Sequence, residues 1–259
     1  MSHDWIIAAC GIGIGFLSGL FGMAGSSVST PVLRMLDVPR FLALASPLPV
    51  SLPTGLAGGV AYWRRGFVQA RTVFWTVLGG LPTVALGAYL TTVIPGRVLM
   101  VLSGLFVVLA GLRVLLKRLP SIDQPLAATS PLLLLGIGVT VGFLSGLLAN
   151  GGGFLLVPAY IILCHATPAQ AAANSLVSAA ILSIPDTWVH WRLGHIDPHL
   201  VLLLSAGVLP AAYLGGHLGA TLRPTQTRWL FGGFLVLFGV FFLLRTLYRA
   251  EVYGWSGLS

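Results

Sequence analysis

The sequence predicts an all-α integral membrane protein of about eight transmembrane segments, in two homologous four-segment repeats whose first segments are each broken by a glycine-rich stretch. Of the 259 residues, 56% are hydrophobic and only 8% are charged, whereas roughly 25% are charged in an average soluble domain. No Asp, Glu, Lys or Arg occurs between Asp123 and Asp186, and a run of that length can cross a bilayer. The second half of the chain also repeats the first.

The segments follow apolar runs bounded by charged residues or by proline and glycine turns. The polar stretch 119–130 separates a first repeat, 1–118, from a second, 131–259, within a single membrane domain. The N-terminus lacks the basic region of a signal peptide, so we expect the first segment to be retained. The segments lie near residues 5–33, 41–62, 72–93, 98–116, 131–162, 170–190, 199–221 and 229–248, the first and fifth being interrupted.

Charge and cysteine content exclude several classes of protein. The formal charge is +8, but the basic residues cluster at segment ends, where they set membrane topology, so no nucleic-acid partner is expected. Cys10 and Cys164 show no CxxC or metal-ligand spacing. Neither a disulfide framework, a metal site nor a cofactor is therefore predicted.

The duplication is visible in two motifs. Eight of seventeen positions match between 15–31 and 142–158, at an offset of 127 residues, and the element Trp-Arg-x-Gly occurs at both 63–66 and 191–194. Internal repeats of this kind are typical of secondary transporters, whose substrate sites lie where the repeats meet.

Two orientations of the repeats stay open. If each interrupted segment crosses once, the repeats are parallel, both termini are cytoplasmic, and about nine basic residues lie on one face against about five on the other. If the glycine-rich breaks double back, each half crosses an odd number of times, the repeats are inverted and the basic residues nearly balance.

The glycine-rich breaks are the candidate substrate site. Backbone groups freed within a bilayer cost several kcal/mol each unless protein or water satisfies them. An unwound helix would present amides and helix N-termini to an anion, although glycines at these positions also permit close helix packing. The candidate residues at the breaks are Gly25, Ser26, Ser27, Asn150, Gly151 and Gly152.

Ser46 and Asn174 occupy equivalent positions in the two repeats, and Ser175 follows Asn174. We expect these side chains to complete the substrate site, although a hydroxyl in a helix also bonds to its own backbone. No Lys or Arg lies in the middle of any predicted segment. An anion would therefore be held by dipoles and neutral donors, and such a site would bind weakly.

Four ionisable residues are candidates for coupling or gating: Asp186, His190, Arg192 and His217. Asp186 and His190 are four residues apart, so they share one helix face and form a pair that could carry a proton or a cation. His217 lies within the seventh segment, as a proton relay would. The alternatives are an interfacial cap beside two belt tryptophans for the Asp–His pair, and a headgroup contact for His217.

The duplicated element G-x-x-S-G-L-x-x-x-G-G-x-x-x-x-x-P at 15–31 and 142–158, with W-R-x-G at 63–66 and H-W-R-x-G-x-[IV]-D at 190–197, resembles the TauE/SafE sulfite exporter family. The resemblance covers about residues 5–248. It implies a bacterial inner-membrane permease that moves small sulfur-containing anions such as sulfite, sulfoacetate or related organosulfonates. It also implies outward transport driven by an electrochemical gradient. The first repeat departs from the pattern around Gly25, so the family does not fix the cargo.

The expected function is a secondary transporter that alternates access between its two repeats. Its expected partners are a small anionic organosulfur substrate, the lipid bilayer, a coupling proton or sodium ion, and further copies of the chain in a homo-oligomer. One alternative is an intramembrane hydrolase using Ser18 or Ser145 with His217, and another is a passive anion channel. Both serines recur symmetrically, whereas an enzyme needs only one nucleophile, so no enzymatic activity is expected.

Overall fold

A computed structural model describes residues 4–23, 25–36, 38–90, 96–116, 129–148 and 152–252. The described residues form helices and no strands, which confirms the prediction of an all-helical protein. The eleven helices described are α1 (Asp4–Phe21), α2 (Ser26–Met35), α3 (Arg40–Ala45), α4 (Pro47–Trp63), α5 (Ala70–Leu90), α6 (Gly96–Leu116), α7 (Pro131–Leu148), α8 (Gly153–Leu163), α9 (Pro168–Arg192), α10 (Pro198–Gly219) and α11 (Pro224–Val252).

Within the described ranges, four helices are long and apolar enough to cross a membrane: α1, α5, α7 and α10. The shorter α8 is also apolar. Many large apolar side chains point outward, including Leu132, which is 81% exposed, and Leu237, which is 74% exposed. Extensive apolar exposure of this kind suits a hydrocarbon surround and not water.

Local sequence explains where several helices begin. Pro168 and Pro198 occupy the first positions of α9 and α10, where the missing N–H costs no hydrogen bond. Thr167 caps α9 through a reciprocal pair of hydrogen bonds with Gln170, and the Asp197 carboxylate accepts from the His199 N–H at the start of α10. These signals fix helix starts in the second half of the chain.

Glycine faces bring helices from opposite halves of the chain together: α1 packs along α10, and α7 packs along α5. A Cβ on Gly15 would lie 2.6 Å from the Val208 carbonyl oxygen, and one on Gly146 would overlap the Val84 carbonyl. Only glycine permits such backbone approach. The glycines that line these faces recur at every fourth position: Gly11, Gly15 and Gly19 on α1, and Gly138, Gly142 and Gly146 on α7.

Helices in equivalent positions of the two halves run in opposite directions. Gly55 of α4 packs on Ala180 of α9, whereas Tyr62, near the end of α4, packs on Ala172, near the start of α9. The helices α4 and α9 are therefore antiparallel. On α6 and α11, Gly111 packs on Leu235 and Gly232 packs on Leu115, so this pair is antiparallel as well.

The short helix α8 doubles back along α7. Gly152, before α8, lies beside Ser145 near the end of α7. Tyr160, further along α8, donates a hydrogen bond of 2.8 Å to Thr76, and the backbone of Thr76 packs on Gly138, near the start of α7.

The helix α2 likewise runs against α4. Gly25 packs on Thr54, and Ser26 then contacts Ser51, one turn earlier in α4. Helices α2 and α8, which follow the two breaks, therefore run antiparallel to α4 and to α7 respectively. The Trp-Arg-x-Gly turns at 63–66 and 191–194 then lie at opposite ends of the helix bundle.

Candidate functional site

The first break is fixed against the start of α9. The N–H groups of Gly22 and Met23 both donate to the Ser18 carbonyl, over 2.9 and 3.0 Å. Gly22 has a φ of +76°, and a Cβ there would overlap the backbone of Ala172. Glycine is therefore required at this position both for its dihedral angle and for its close contact.

Beyond this turn, two of the predicted substrate residues lie beside the middle of α4. A Cβ on Gly25 would lie 3.0 Å from the Thr54 hydroxyl oxygen. Ser26 is fully buried, and the Ser51 hydroxyl donates to it over 3.4 Å. Ser27 follows in α2, and its side chain lies outside the described atoms.

The second break precedes α8. Gly152 has a φ of +77°, and its carbonyl accepts from the N–H groups of both Leu155 and Leu156, each over 3.1 Å. The Ser175 hydroxyl donates to the Gly153 carbonyl over 2.9 Å, which ties α9 to the start of α8. The predicted residues Asn150 and Gly151 lie outside the described residues.

Buried hydroxyls without a hydrogen-bond partner accompany the breaks. Among the described atoms, the hydroxyls of Ser18 and Ser145 are buried and make no hydrogen bond. Leaving a buried hydroxyl unpaired costs about 1–3 kcal/mol, so a ligand that paired with these groups would recover that energy. Ser18 and Ser145 occupy equivalent positions of the duplicated G-F-L-S-G-L motif, and Ser145 lies next to Gly152.

Sequence reasoning considered Ser18 and Ser145 only as nucleophiles for a hydrolase. Neither hydroxyl has a hydrogen-bond partner, so in the described structure neither is paired with His217 as a general base would be. The exposed imidazole of His217 instead lies with its Nε2 3.4 Å from the Arg65 guanidinium. The duplicated motif was the available signal for these serines, but their burial becomes visible only once the helices are packed.

Ser46 and Asn174 hold the two halves together in equivalent ways. The Ser46 hydroxyl accepts a hydrogen bond from the Asp197 N–H over 3.0 Å. The side-chain oxygen Oδ1 of Asn174 accepts one from the Gln69 N–H over 2.8 Å. The Asn174 amide also donates to the carbonyls of Phe67, over 3.1 Å, and Gln170, over 2.7 Å. Ser46 and Asn174 lie near the starts of α4 and α9. Their role in substrate binding stays a prediction.

The predicted coupling residues lie in three different environments. Asp186 and His190 are buried on one face of α9, with a carboxylate oxygen 3.7 Å from the imidazole Nε2. Arg192 is exposed, and its guanidinium stacks over the Trp188 ring at 5.7 Å, as at a membrane interface. His217 lies with Arg65 at the end of α10. Only the first two residues contact each other.

A separate cavity of about 550 Å³ lies between α6, α7 and α8. Its lining is mostly aliphatic, and its side-chain polar groups are those of Arg113 and Thr140. Such a lining offers a small oxyanion too few donors. Among the described residues, no group of three or more His, Cys, Asp or Glu side chains could hold a metal ion.

Comparison with known proteins gives a consistent result. The family described as "Sulfite exporter TauE/SafE" matches residues 7–242. The chain is 27% identical over 249 residues to "Probable membrane transporter protein YunE" of Bacillus subtilis, covering 86% of this chain and 90% of the relative. It is 24% identical over 248 residues to YjnA of the same organism, named in the same way, covering 90% and 97%.

A probable membrane transporter protein of Xylella fastidiosa is 25% identical over 256 residues, covering 95% of this chain and 98% of the relative. No solved structure matches the chain. Together with the apolar helices, these relatives identify a multi-pass bacterial membrane protein. The chain belongs to the TauE/SafE sulfite exporter family.

Proposed function

We propose that this protein is a secondary transporter of small sulfur-containing anions, such as sulfite, sulfoacetate or related organosulfonates. The observation that carries the proposal is the pair of equivalent helix breaks, each beside a buried hydroxyl that has no partner, Ser18 or Ser145. The relatives are named as probable membrane transporters without a substrate. The proposed substrate class, a sulfur oxyanion, comes from the description of the family as sulfite exporters.

The proposed architecture is two inverted repeats, 1–118 and 131–259, joined by the stretch 119–130, most of which lies outside the described residues. Each repeat begins with a broken segment. The antiparallel pairs α4 with α9 and α6 with α11, which relate equivalent helices, support this arrangement. Inverted repeats of this kind place the substrate between the halves.

The proposed substrate site is formed by the two breaks. Gly25, Ser26 and Ser27 lie in the first half, and Asn150, Gly151, Gly152 and Ser175 lie in the second. A sulfur oxyanion accepts hydrogen bonds, and the starts of α2 and α8 present N–H groups with a favourable dipole. The unpaired hydroxyls of Ser18 and Ser145 add two neutral donors. Without a cation at the breaks, the site holds its anion weakly and releases it readily.

Alternating access follows from the exchange of helices between halves. Because α1 packs on α10 and α7 packs on α5, each half holds one helix of the other through a smooth glycine face. Small residues on these faces let the helix backbones come into direct contact. The halves can then rock against each other around the α4–α9 crossing.

Counterflow in proteoliposomes tests the function. Vesicles containing the purified protein are loaded with unlabelled sulfite, and uptake of external radiolabelled sulfite is measured at equal pH on both sides. A transporter gives saturable uptake that internal sulfite stimulates, and sulfoacetate should compete whereas chloride should not. Uptake that neither saturates nor responds to internal sulfite would instead indicate a channel. No flux of any sulfur anion would contradict the proposal.

A matched pair of variants locates the site. Gly152→Val forces a branched side chain into a positive-φ position beside Ser145 and should abolish counterflow. Gly136→Val is the control, because a Cβ on Gly136 meets nothing within 4 Å. If the two variants show equal counterflow at equal amounts of folded protein, the second break does not form part of the substrate site.

A further inference from the structure

Three titratable side chains form a line from a loop into the interior of α9. His195, in the connection between α9 and α10, is partly exposed. Its Nδ1 lies 3.3 Å from Nδ1 of His190, whose Nε2 lies 3.7 Å from Asp186. His190 is 2% exposed and Asp186 is fully buried. The line therefore connects a solvent-accessible ring to a carboxyl group that bulk solvent does not reach.

The inner end of this line lacks hydrogen bonds. Among the described atoms, neither carboxylate oxygen of Asp186 has a hydrogen-bond partner, and neither does Nε2 of His190. An ionised carboxylate buried without partners is expensive, and the cost falls when it binds a proton. Asp186 is thus a carboxyl group whose negative charge no hydrogen bond in the described structure stabilises.

The two imidazoles suit proton transfer. Nitrogen atoms 3.3 Å apart share one proton, with one ring donating and the other accepting. A protonated His195 can give its Nδ1 proton to Nδ1 of His190, and His190 can then release its Nε2 proton to a carboxylate oxygen of Asp186. The last transfer requires the side chains to approach by roughly 0.7 Å, to ordinary hydrogen-bond distance. The pKa of His195 is lowered by burial, which disfavours the charged ring.

The line occurs in one half of the protein only. At the offset of 128 residues, Asp186, His190 and His195 correspond to Gly58, Tyr62 and Phe67. Gly58 packs against Leu176 of α9, and the Tyr62 hydroxyl donates to the Leu20 carbonyl. Among the described residues of the first half, the equivalent positions therefore carry no second line.

Other ionisable groups do not engage Asp186 by hydrogen bonding. On α9 itself, Arg192 stacks on Trp188, and in the following connection Asp197 caps α10. Among the described helices, five pack against α9: α1, α4, α5, α8 and α11. Their ionisable residues with described side chains are Asp4 and Cys10 on α1, Tyr62 on α4, Arg71 and Tyr89 on α5, Tyr160 on α8 and Arg228 on α11.

We propose that Asp186 is the proton-coupling site of this transporter, loaded from one face of the membrane through His195 and His190. The proposal rests on the proposed transport function and names its coupling ion as a proton. Substrate movement in one direction is then tied to protonation of Asp186, and sodium has no part in coupling. Asp186 and His190 act on a proton, and no contact with the anion is assigned to them.

The first test needs no substrate. Infrared difference spectra of the purified protein are recorded between about pH 5 and about pH 9, a range that includes the ordinary pKa of histidine. A protonated-carboxyl band should titrate in the wild type and disappear in Asp186→Asn. It should persist in Asp4→Asn, which alters a partly exposed carboxylate at the start of α1. A band that Asp186→Asn leaves unchanged, or that does not titrate, overturns the proposal whether or not sulfite is the substrate.

The second test separates coupling from transport. In proteoliposomes, Asp186→Asn should keep sulfite counterflow at equal pH, while accumulation driven by a pH gradient falls at least about tenfold. His195→Gln should slow the driven accumulation, and Asp186→Glu should restore part of it. His199→Gln is the control, because His199 is exposed and outside the line. Driven accumulation by Asp186→Asn equal to the wild type, or driven by a sodium gradient, contradicts the proposal.

Discussion

At the scale of single residues, the structure divides the predicted polar residues into two groups. Ser46 and Asn174 already have hydrogen-bond partners across the two halves, because they bond to the backbone of the opposite Trp-Arg-x-Gly connection. Ser18 and Ser145 are buried without partners. A polar side chain with its hydrogen bonds made contributes to stability, whereas a buried polar side chain without a partner lowers it. A ligand that bonded to the unpaired hydroxyls would remove this cost.

Replacing the unpaired hydroxyls should affect transport without affecting stability. Ser18→Ala and Ser145→Ala remove groups that make no hydrogen bond in the described structure, so the melting temperature should stay the same or rise slightly. Sulfite counterflow should fall several-fold, because one donor to the anion is lost. The measurement is thermal unfolding in detergent beside counterflow at matched protein amounts. Complete loss of a hydrolytic activity in either variant would instead favour an enzyme.

Replacing the paired residues should have the opposite effect. Asn174→Ala breaks three hydrogen bonds, to Gln69, Phe67 and Gln170, and should cost about 2–4 kcal/mol of unfolding free energy. Ser46→Ala breaks one, to Asp197, and should cost about 1 kcal/mol. Thermal unfolding in detergent should rank the wild type first and Asn174→Ala last. If both variants melt like the wild type but fail to transport, the two residues bind substrate.

At the scale of helices, the glycine content serves two different purposes. Glycines at four-residue spacing on α1 and α7 allow backbone contact with α10 and α5. At the breaks, Gly22 and Gly152 adopt positive φ angles that end one helix and begin the next. The dihedral angles identify these two glycines as turn residues, and Gly22 also packs closely against Ala172.

Substitutions on α1 should distinguish the packed face from the lipid face. Gly15→Val places its Cβ 2.6 Å from the Val208 carbonyl oxygen and should lower stability by about 3 kcal/mol or more. Gly13→Val should be nearly neutral, because a Cβ there meets nothing within 4 Å. Size-exclusion profiles recorded after heating would measure both variants. Equal losses at the two positions would contradict the contact between α1 and α10.

At the scale of the whole molecule, the direction of each helix decides the topology. Duplicated motifs at 63–66 and 191–194 lie on one face in a parallel arrangement and on opposite faces in an inverted one. The inverted arrangement spreads basic residues over both faces, so the usual excess of Lys and Arg on one side is weak. A rule based on charge alone therefore could not choose between them.

Labelling from outside the cell should reveal this topology. Cys10 and Cys164 are first replaced by serine, and Arg64→Cys or Arg192→Cys is then introduced, both at exposed positions. A membrane-impermeant maleimide applied to intact cells should modify only one of the two variants. After the cells are opened, both variants should react. Modification of both in intact cells would show that the two motifs share one face, against the inverted arrangement.

The sequence by itself determined the helical class, the membrane environment and the family, because hydropathy and duplicated motifs are properties of the linear chain. It also located both breaks and the pairing of Asp186 with His190, which follows from spacing on one helix. The tertiary structure decided the features that depend on contacts between helices far apart in the sequence. These features are the antiparallel directions of α4 and α9 and of α6 and α11, the packing of α1 on α10 and of α7 on α5, and the contact of His190 with His195. They also include the burial that leaves Ser18 and Ser145 unpaired, since burial depends on every neighbour at once.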